Sequence, residues 1–225
     1  MRTPVVDYRE FRLKKLNDPQ FSHLKLLFGW VVYFVFFFLT ENFIPAEVCH
    51  PVHMFLDDWI PFCEWFLIPY VFWYGLIVFS LVWFARYNID GFKRLQGYIM
   101  ITQFLAMLCY ILYPTRQDLR PAEFVNENFL TDCVALLYSV DTNTGVCPSL
   151  HVAYSIGIFS VWSKEKTVHW SYKAFVLFAV IMICLSTMFM KQHSAVDFFA
   201  AIPVCLIAEA IIYRDRYWKK GKGAI

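Results

Sequence analysis

Charge is scarce in this chain of 225 residues: only 17% are charged, against 59% hydrophobic and 20% aromatic. Charged side chains are what keep a soluble surface wet, so the shortage excludes an ordinary soluble domain. The net charge is only +2, and basic residues fall in separate arms, so no nucleic-acid footprint is present. No linker, internal repeat or low-complexity tract divides the chain, and a single domain over 1–225 is expected. Cys-x-x-Cys and Cys/His zinc spacings are also missing, which removes the common structural metal sites. The first apolar run is followed by Glu41-Asn42-Phe43-Ile44-Pro45 rather than a small-residue cleavage pattern. It reads as an anchor and not as a signal peptide.

What is present is a series of long apolar runs. One hydrocarbon core takes roughly 20 apolar residues per helical span. Six candidate spans follow, at about 23–40, 64–85, 95–113, 148–163, 174–190 and 195–213, so the expected fold is all-α and polytopic. Lysine and arginine favour the cytoplasmic side of such spans. All but three of the 20 lie in the N-terminal arm, the second–third and fourth–fifth connections, and the tail. Both termini are therefore expected in the cytoplasm, with the protein in the cell membrane.

The exceptions are Arg116, Arg120 and Lys191, all expected on the outer side. Cations kept where insertion disfavours them point to an anionic ligand. Cys109, Cys184 and Cys205 fall within spans as small hydrophobes, whereas Cys49, Cys63, Cys133 and Cys147 lie in outer loops where disulfides are permitted. His50 and His53 stand near Asp57-Asp58 and read as a wetted interfacial loop rather than a metal site. Glu209, near the inner end of the last span, is expected to snorkel to the interface.

Two short motifs carry the chemistry. In Cys147-Pro148-Ser149-Leu150-His151, Pro148 suits the first turn of a helix, which puts the amides of Ser149 and Leu150 at its N-terminus. Free amides and the positive end of the helix dipole favour a phosphate there. His151 follows in the same turn and can protonate a leaving alkoxide. In Lys191-Gln192-His193-Ser194-Ala195-Val196-Asp197, His193 and Asp197 are four apart, one turn on a helix face. A carboxylate on one imidazole nitrogen fixes the tautomer and leaves the other nitrogen as a nucleophile. Alone, each motif reads as well as a cap or a satisfied buried pair. The path between them is one helix inward, a turn and one helix outward, so both histidines return to the same depth.

A third segment, Tyr113-Pro114-Thr115-Arg116-Gln117-Asp118-Leu119-Arg120-Pro121, leaves the third span on that same side. The planar fork of Arg120 suits a phosphate, with Arg116 as its helper. The long connection from 114 to 147 is expected to hold a short interfacial helix near 121–139, placed to act as a lid.

These residues resemble the type 2 phosphatidic acid phosphatase superfamily, whose motifs are Lys-(six residues)-Arg-Pro, Pro-Ser-Gly-His and Ser-Arg-(five residues)-His-(three residues)-Asp. Here the segments 113–197 supply Arg120-Pro121 with Tyr113 in the lysine position, Pro148-Ser149-Leu150-His151, and Ser186-Thr187 followed by His193 and Asp197. The departures are also similar to the branch containing inositol phosphorylceramide and sphingomyelin synthases. The resemblance implies His193 as nucleophile, Asp197 as its orienting partner and His151 as acid for the leaving group. It implies Arg120, Ser149, the Leu150 amide and Lys191 around the phosphate oxygens, with no metal or cofactor. Lys191 and Arg116 stand in for the two cations that the motifs lack.

The expected function is thus a lipid phosphate phosphatase acting through a phosphohistidine, its site facing outside. A lipid phosphotransferase is the alternative, differing only in whether water or an alcohol reaches the intermediate. A non-catalytic lipid-binding or transport protein is the third reading.

Overall fold

The structure is a computed structural model that describes residues 3–215; Arg2 and the tail cations Arg216, Lys219, Lys220 and Lys222 lie outside that range. It is almost wholly helical. A short 3-10 segment leads into α1 (Phe28–Phe43), and the long helices α3 (Leu67–Tyr87), α4 (Ile89–Leu112), α7 (Trp170–Phe189) and α8 (Ala195–Ile212) complete the set. These five are long and apolar enough to cross a membrane, which supports a multi-pass membrane protein. Three smaller helices join them: α2 (Phe55–Trp59), α5 (Phe129–Val140) and α6 (Leu150–Lys164).

The run predicted as the fourth span is α6, and it differs from the others. At 15 residues it measures about 22 Å, short of a hydrocarbon core of about 30 Å. It is nonetheless the centre of the bundle, packed on α3, α4, α7 and α8. Its buried residues, from Leu150 and Val152 through Tyr154, Gly157, Ile158 and Trp162, cover every side of the helix. A helix apolar all round belongs inside. Gly157 is what allows α4 so close, because a Cβ there would meet the Tyr98 ring at 2.4 Å. The Trp162 indole donates to Ser80 Oγ at 2.9 Å, so the polar handle of this buried ring is satisfied.

Helix α1 is the opposite case. Only Thr40 is buried along it, and Phe28, Phe34 and Phe38 are exposed. It packs against α4, while no comparable packing joins it to α3. A cavity opens in the space between α1 and α3. At the other end of the bundle Glu209 meets Lys164 at 2.8 Å and accepts from Ser160 Oγ at 2.5 Å.

Element ends follow local chemistry. Asn88 caps α4, its side chain accepting from the Gly91 amide, and so the helix starts earlier than the predicted 95. Asn128 caps α5 the same way, giving a helix over 129–140 where one near 121–139 was expected. Residues 117–120, upstream of it, are held by side-chain hydrogen bonds instead. Two two-residue strands, β1 (His50–Pro51) and β2 (Thr115–Arg116), pair in parallel and tie the two loops at this end together. All seven cysteines are free thiols.

Candidate active site

Helix α7 ends at Phe189, and the chain reverses through Lys191, whose φ of 51° is left-handed. The amides of Gln192 and His193 both donate to the Thr187 carbonyl at 3.0 Å, closing the turn. His193 thus sits just ahead of α8, not on it. Its tie to Asp197 comes from the helix cap: Ser194 is the N-cap residue and Asp197 the third residue of the helix. Asp197 Oδ2 accepts from the Ser194 amide at 2.9 Å and meets His193 Nδ1 at 3.2 Å. The predicted one-turn helix face is therefore corrected to a capping box, because the reversal at Lys191 leaves no room for a helix before Ser194. Nδ1 is occupied by a fully buried carboxylate, and Nε2 is left for reaction.

The second motif meets the first through the backbone. The Ser149 amide donates to the Asp197 carbonyl at 3.1 Å, and Tyr110 Oη donates to the Pro148 carbonyl at 2.7 Å. Ser149 is the N-cap of α6, so Pro148 lies before the cap and not in the first turn as expected. The Ser149 hydroxyl oxygen accepts from the Val152 amide at 3.5 Å as that cap. The amides of Leu150 and His151 occupy the first turn, where helices have no internal partner for them.

His151 stacks on Trp73 at 3.9 Å and on Tyr70 at 4.5 Å, ring to ring. Its Nε2 is buried and without a hydrogen-bond partner. The two histidine rings are 5.9 Å apart at an angle of 61°. A group bound between them would meet an imidazole on each side.

Both histidines line a cavity of about 490 Å³. From the histidine level it descends along α3 through Trp73, Ile77 and Leu81, facing Trp30, Phe34 and Phe37 of α1. Tyr70 and Leu81 are eleven residues apart on α3, or about 16 Å at 1.5 Å per residue. This is a polar mouth over an apolar shaft, open toward the gap between α1 and α3.

The three cations expected on the outer side are placed elsewhere. Arg120 stands behind the mouth: its terminal nitrogens donate to the carbonyls of Tyr138, Asp141 and Thr142 and to Gln192 Oε1 at 2.6 Å. It also lies over the Tyr138 ring, 4.5 Å from its centroid. Burial lowers its pKa, and the nearby Asp141 carboxylate opposes that shift. Arg116 pairs with Asp118 at 3.1 Å and donates to the Ala46 carbonyl, away from the histidines. Lys191 Nζ donates to the carbonyls of Asp57 and Ile60 at 2.8 and 2.5 Å. Among the described residues no lysine or arginine lines the cavity. The guanidinium of Arg116 and the ammonium of Lys191 fasten the connection between α1 and α3 to the segments 113–121 and 191–197.

Two carboxylates escaped the sequence reading. Asp57, 4% exposed, accepts from Ser194 Oγ at 2.5 Å, from the Ala195 amide at 2.8 Å and from the Met54 amide at 2.8 Å. It anchors the residues that follow His193. The neighbouring His53 pairs with Asp58 at 2.8 Å and His50 stacks on Tyr113, so the sequence signal there was split between solvated and buried acids. Asp141 lines the cavity mouth beside Gln192 and His193.

Because Lys191 tethers a loop, Lys191→Ala is expected to lower stability by about 2 kcal/mol, the loss of two charged hydrogen bonds in a partly wet site. Lys191→Gly should lose less, since glycine takes the left-handed conformation without strain. Thermal unfolding in detergent checks both, and wild-type melting of the alanine variant would show that the tether carries no load.

No family model, curated protein or solved structure matches this chain.

Proposed function

We propose that this chain is an integral-membrane enzyme that cleaves the phosphate ester of a lipid through a phosphohistidine, as the similarity to the type 2 phosphatidic acid phosphatase superfamily implies. The observation that carries the reading is the pair of histidines facing each other at the mouth of an apolar shaft, with His193 Nδ1 held by Asp197.

His193 Nε2 attacks phosphorus, and the bond from phosphorus to the lipid oxygen breaks. The leaving alkoxide takes a proton from His151, which sits on the apolar side of the mouth among Trp73 and Tyr70. Asp197 stabilises the positive charge on the attacking imidazole. In the second half His151 takes the proton of an incoming hydroxyl, whose oxygen displaces His193 Nε2. Water as that acceptor makes the enzyme a lipid phosphatase, the simplest form of the reaction; an alcohol makes it a phosphotransferase. The free amides at the start of α6 hold a phosphate oxygen, and such a donor is worth on the order of 3 kcal/mol in the transition state. The shaft takes the lipid chain from the membrane. The orientation that goes with this reading has six membrane-embedded helices, α6 included, with both termini in the cytoplasm and the site at the outer face.

Trapping the intermediate tests the proposal. Purified protein in detergent with EDTA is mixed with phospholipids radiolabelled at phosphorus and quenched in base, where a phosphoramidate survives. Label that stays on wild-type protein in base and leaves in acid is expected. Its absence across phospholipid classes, from protein shown to be folded, would overturn the phosphohistidine.

A further inference from the structure

At the end of the bundle away from the histidines, α3 carries a groove that no described residue fills. We propose that this groove binds one anionic phospholipid of the leaflet opposite the candidate active site, with its phosphate on the Arg86 guanidinium and an acyl chain lying along α3 as far as Gly75.

Gly75, Phe79, Val82 and Arg86 line the groove at spacings of four, three and four, so they share one face of the helix. Val82 is 60% exposed and Phe79 48%, which turns this face outward to the membrane. Gly75 and Arg86 stand eleven residues apart, or about 16 Å at 1.5 Å per residue. One leaflet is half of a hydrocarbon core of about 30 Å. The groove thus runs from the level of the head groups to the midplane, the reach of one lipid chain. Trp83 and Tyr87 line it at the Arg86 end, and these residue types collect at a membrane–water boundary. Pro4 borders the same end, where the Val5 amide donates to the Arg86 carbonyl at 2.9 Å.

Two observations beyond its apolar lining point to a ligand. The first is the open fork of Arg86. Its guanidinium lies over the Tyr87 ring, 5.7 Å from the centroid, and among the described residues it has no carboxylate or carbonyl partner. Other cations at this end are occupied: Arg94 donates to the Ile212 carbonyl and Lys164 pairs with Glu209. An unpaired arginine fork takes two oxygens of a phosphate at once. No aspartate or glutamate among the described residues lines the groove, so the ammonium of a zwitterionic head group meets no counter-charge and an anionic lipid is favoured.

The second is Gly75 itself. Glycine weakens the middle of a helix, and it is kept where something must approach the backbone closely. Within the chain nothing does so here: a Cβ added at Gly75 would meet no atom within 4 Å. The bare backbone serves a molecule from outside. Val78 lines both this groove and the cavity below the histidines, so the tip of the bound chain meets the far end of the shaft.

Native mass spectrometry of the full-length protein in detergent tests the site, with phosphatidylglycerol and phosphatidylcholine of identical acyl chains titrated in turn. The first lipid bound is expected to have a dissociation constant at least about fivefold lower for phosphatidylglycerol, the effect of one basic residue at a membrane surface. Arg86→Gln should bring the two lipids to within about twofold of each other. Gly75→Leu puts a side chain where the lipid chain lies and should weaken phosphatidylglycerol at least about fivefold. Lys14→Gln removes an exposed cation that lines no part of the groove, and should leave both constants unchanged. Melting curves accompany every variant, and Arg86→Gln decides the matter if Gly75→Leu does not fold. Equal affinity of the wild type for both lipids would overturn the anionic preference. A preference that survives Arg86→Gln, or falls as far in Lys14→Gln, would overturn the assignment to Arg86 in favour of diffuse surface charge. Unchanged binding in a folded Gly75→Leu would overturn the groove, and glycerol phosphate bound as tightly as the lipid would overturn a lipid as the occupant.

Discussion

Replacing His193 by alanine is expected to lower turnover by at least about 10⁴-fold while leaving the fold intact. In the proposed mechanism the His193 imidazole makes the covalent intermediate, and losing such a nucleophile removes the reaction path rather than one contact along it. The fold should survive because the bonds at this turn are made by the backbone and by Asp197: the His193 amide reaches the Thr187 carbonyl, and Asp197 Oδ2 keeps the Ser194 amide after the ring is gone. Ring removal does open space at the cavity mouth, so the melting temperature should fall only slightly. Initial rates and thermal unfolding on the same preparation check the two halves of the statement. Activity within tenfold of wild type in a folded variant would end the covalent mechanism and favour a binding or transport role. His151→Ala offers the contrast. It should slow the reaction with poor leaving groups and spare an activated phosphodiester such as a nitrophenyl ester, which needs no proton on departure.

The second large effect is expected at Asp57, which touches no substrate. Its carboxylate takes three donors, the buried Ala195 amide and Ser194 Oγ and the half-buried Met54 amide. Asp57→Ala leaves all three without partners. At about 1 to 3 kcal/mol for each buried donor, the loss should be roughly 3 kcal/mol or more. Two of the donors sit at Ser194 and Ala195, the residues that follow His193, so the same change should move the proposed nucleophile. A displacement of about 1 Å is enough to cost on the order of 10²-fold in rate. The expected signature is a large fall in kcat with KM little changed, since the apolar shaft that binds the chain is untouched. Asp57→Asn keeps one acceptor oxygen and should fall between. Titrating activity against melting temperature across these variants separates positioning from simple unfolding. A stable Asp57→Ala protein with normal kcat would mean that α8 holds its own start in place.

These two effects differ in how far the sequence foretold them. The membrane character was legible in the amino acids, because burying apolar side chains depends on composition and run length, not on partners. The pairing of His193 with Asp197 was legible too, from spacing alone, although its cause was not. A spacing of four fits a helix face and a capping box equally, and the left-handed turn at Lys191 decided for the cap. The burial of Pro148-Ser149-Leu150-His151 next to that cap followed from motif spacing and the back-and-forth path of two helices.

The fates of the charged residues were settled by the tertiary structure. Lys191, Arg116 and Arg120 all stood in the expected segments, and the sequence shows that they are cations on one side of the bundle. Which way each points depends on carbonyls more than a hundred residues off in the case of Lys191, and about seventy off for Arg116. A cation's use is set by the acceptors that folding brings within 3 Å of it, and no local pattern encodes those. Asp57 and Asp141 were hidden for the same reason, since a buried acid and a wetted one look alike in a loop. Composition, run length and short-range spacing were enough to determine a helical membrane protein with a His–Asp pair and a second histidine. Only the packing of distant loops decided that, among the described residues, the cavity mouth is lined by a carboxylate and by no lysine or arginine.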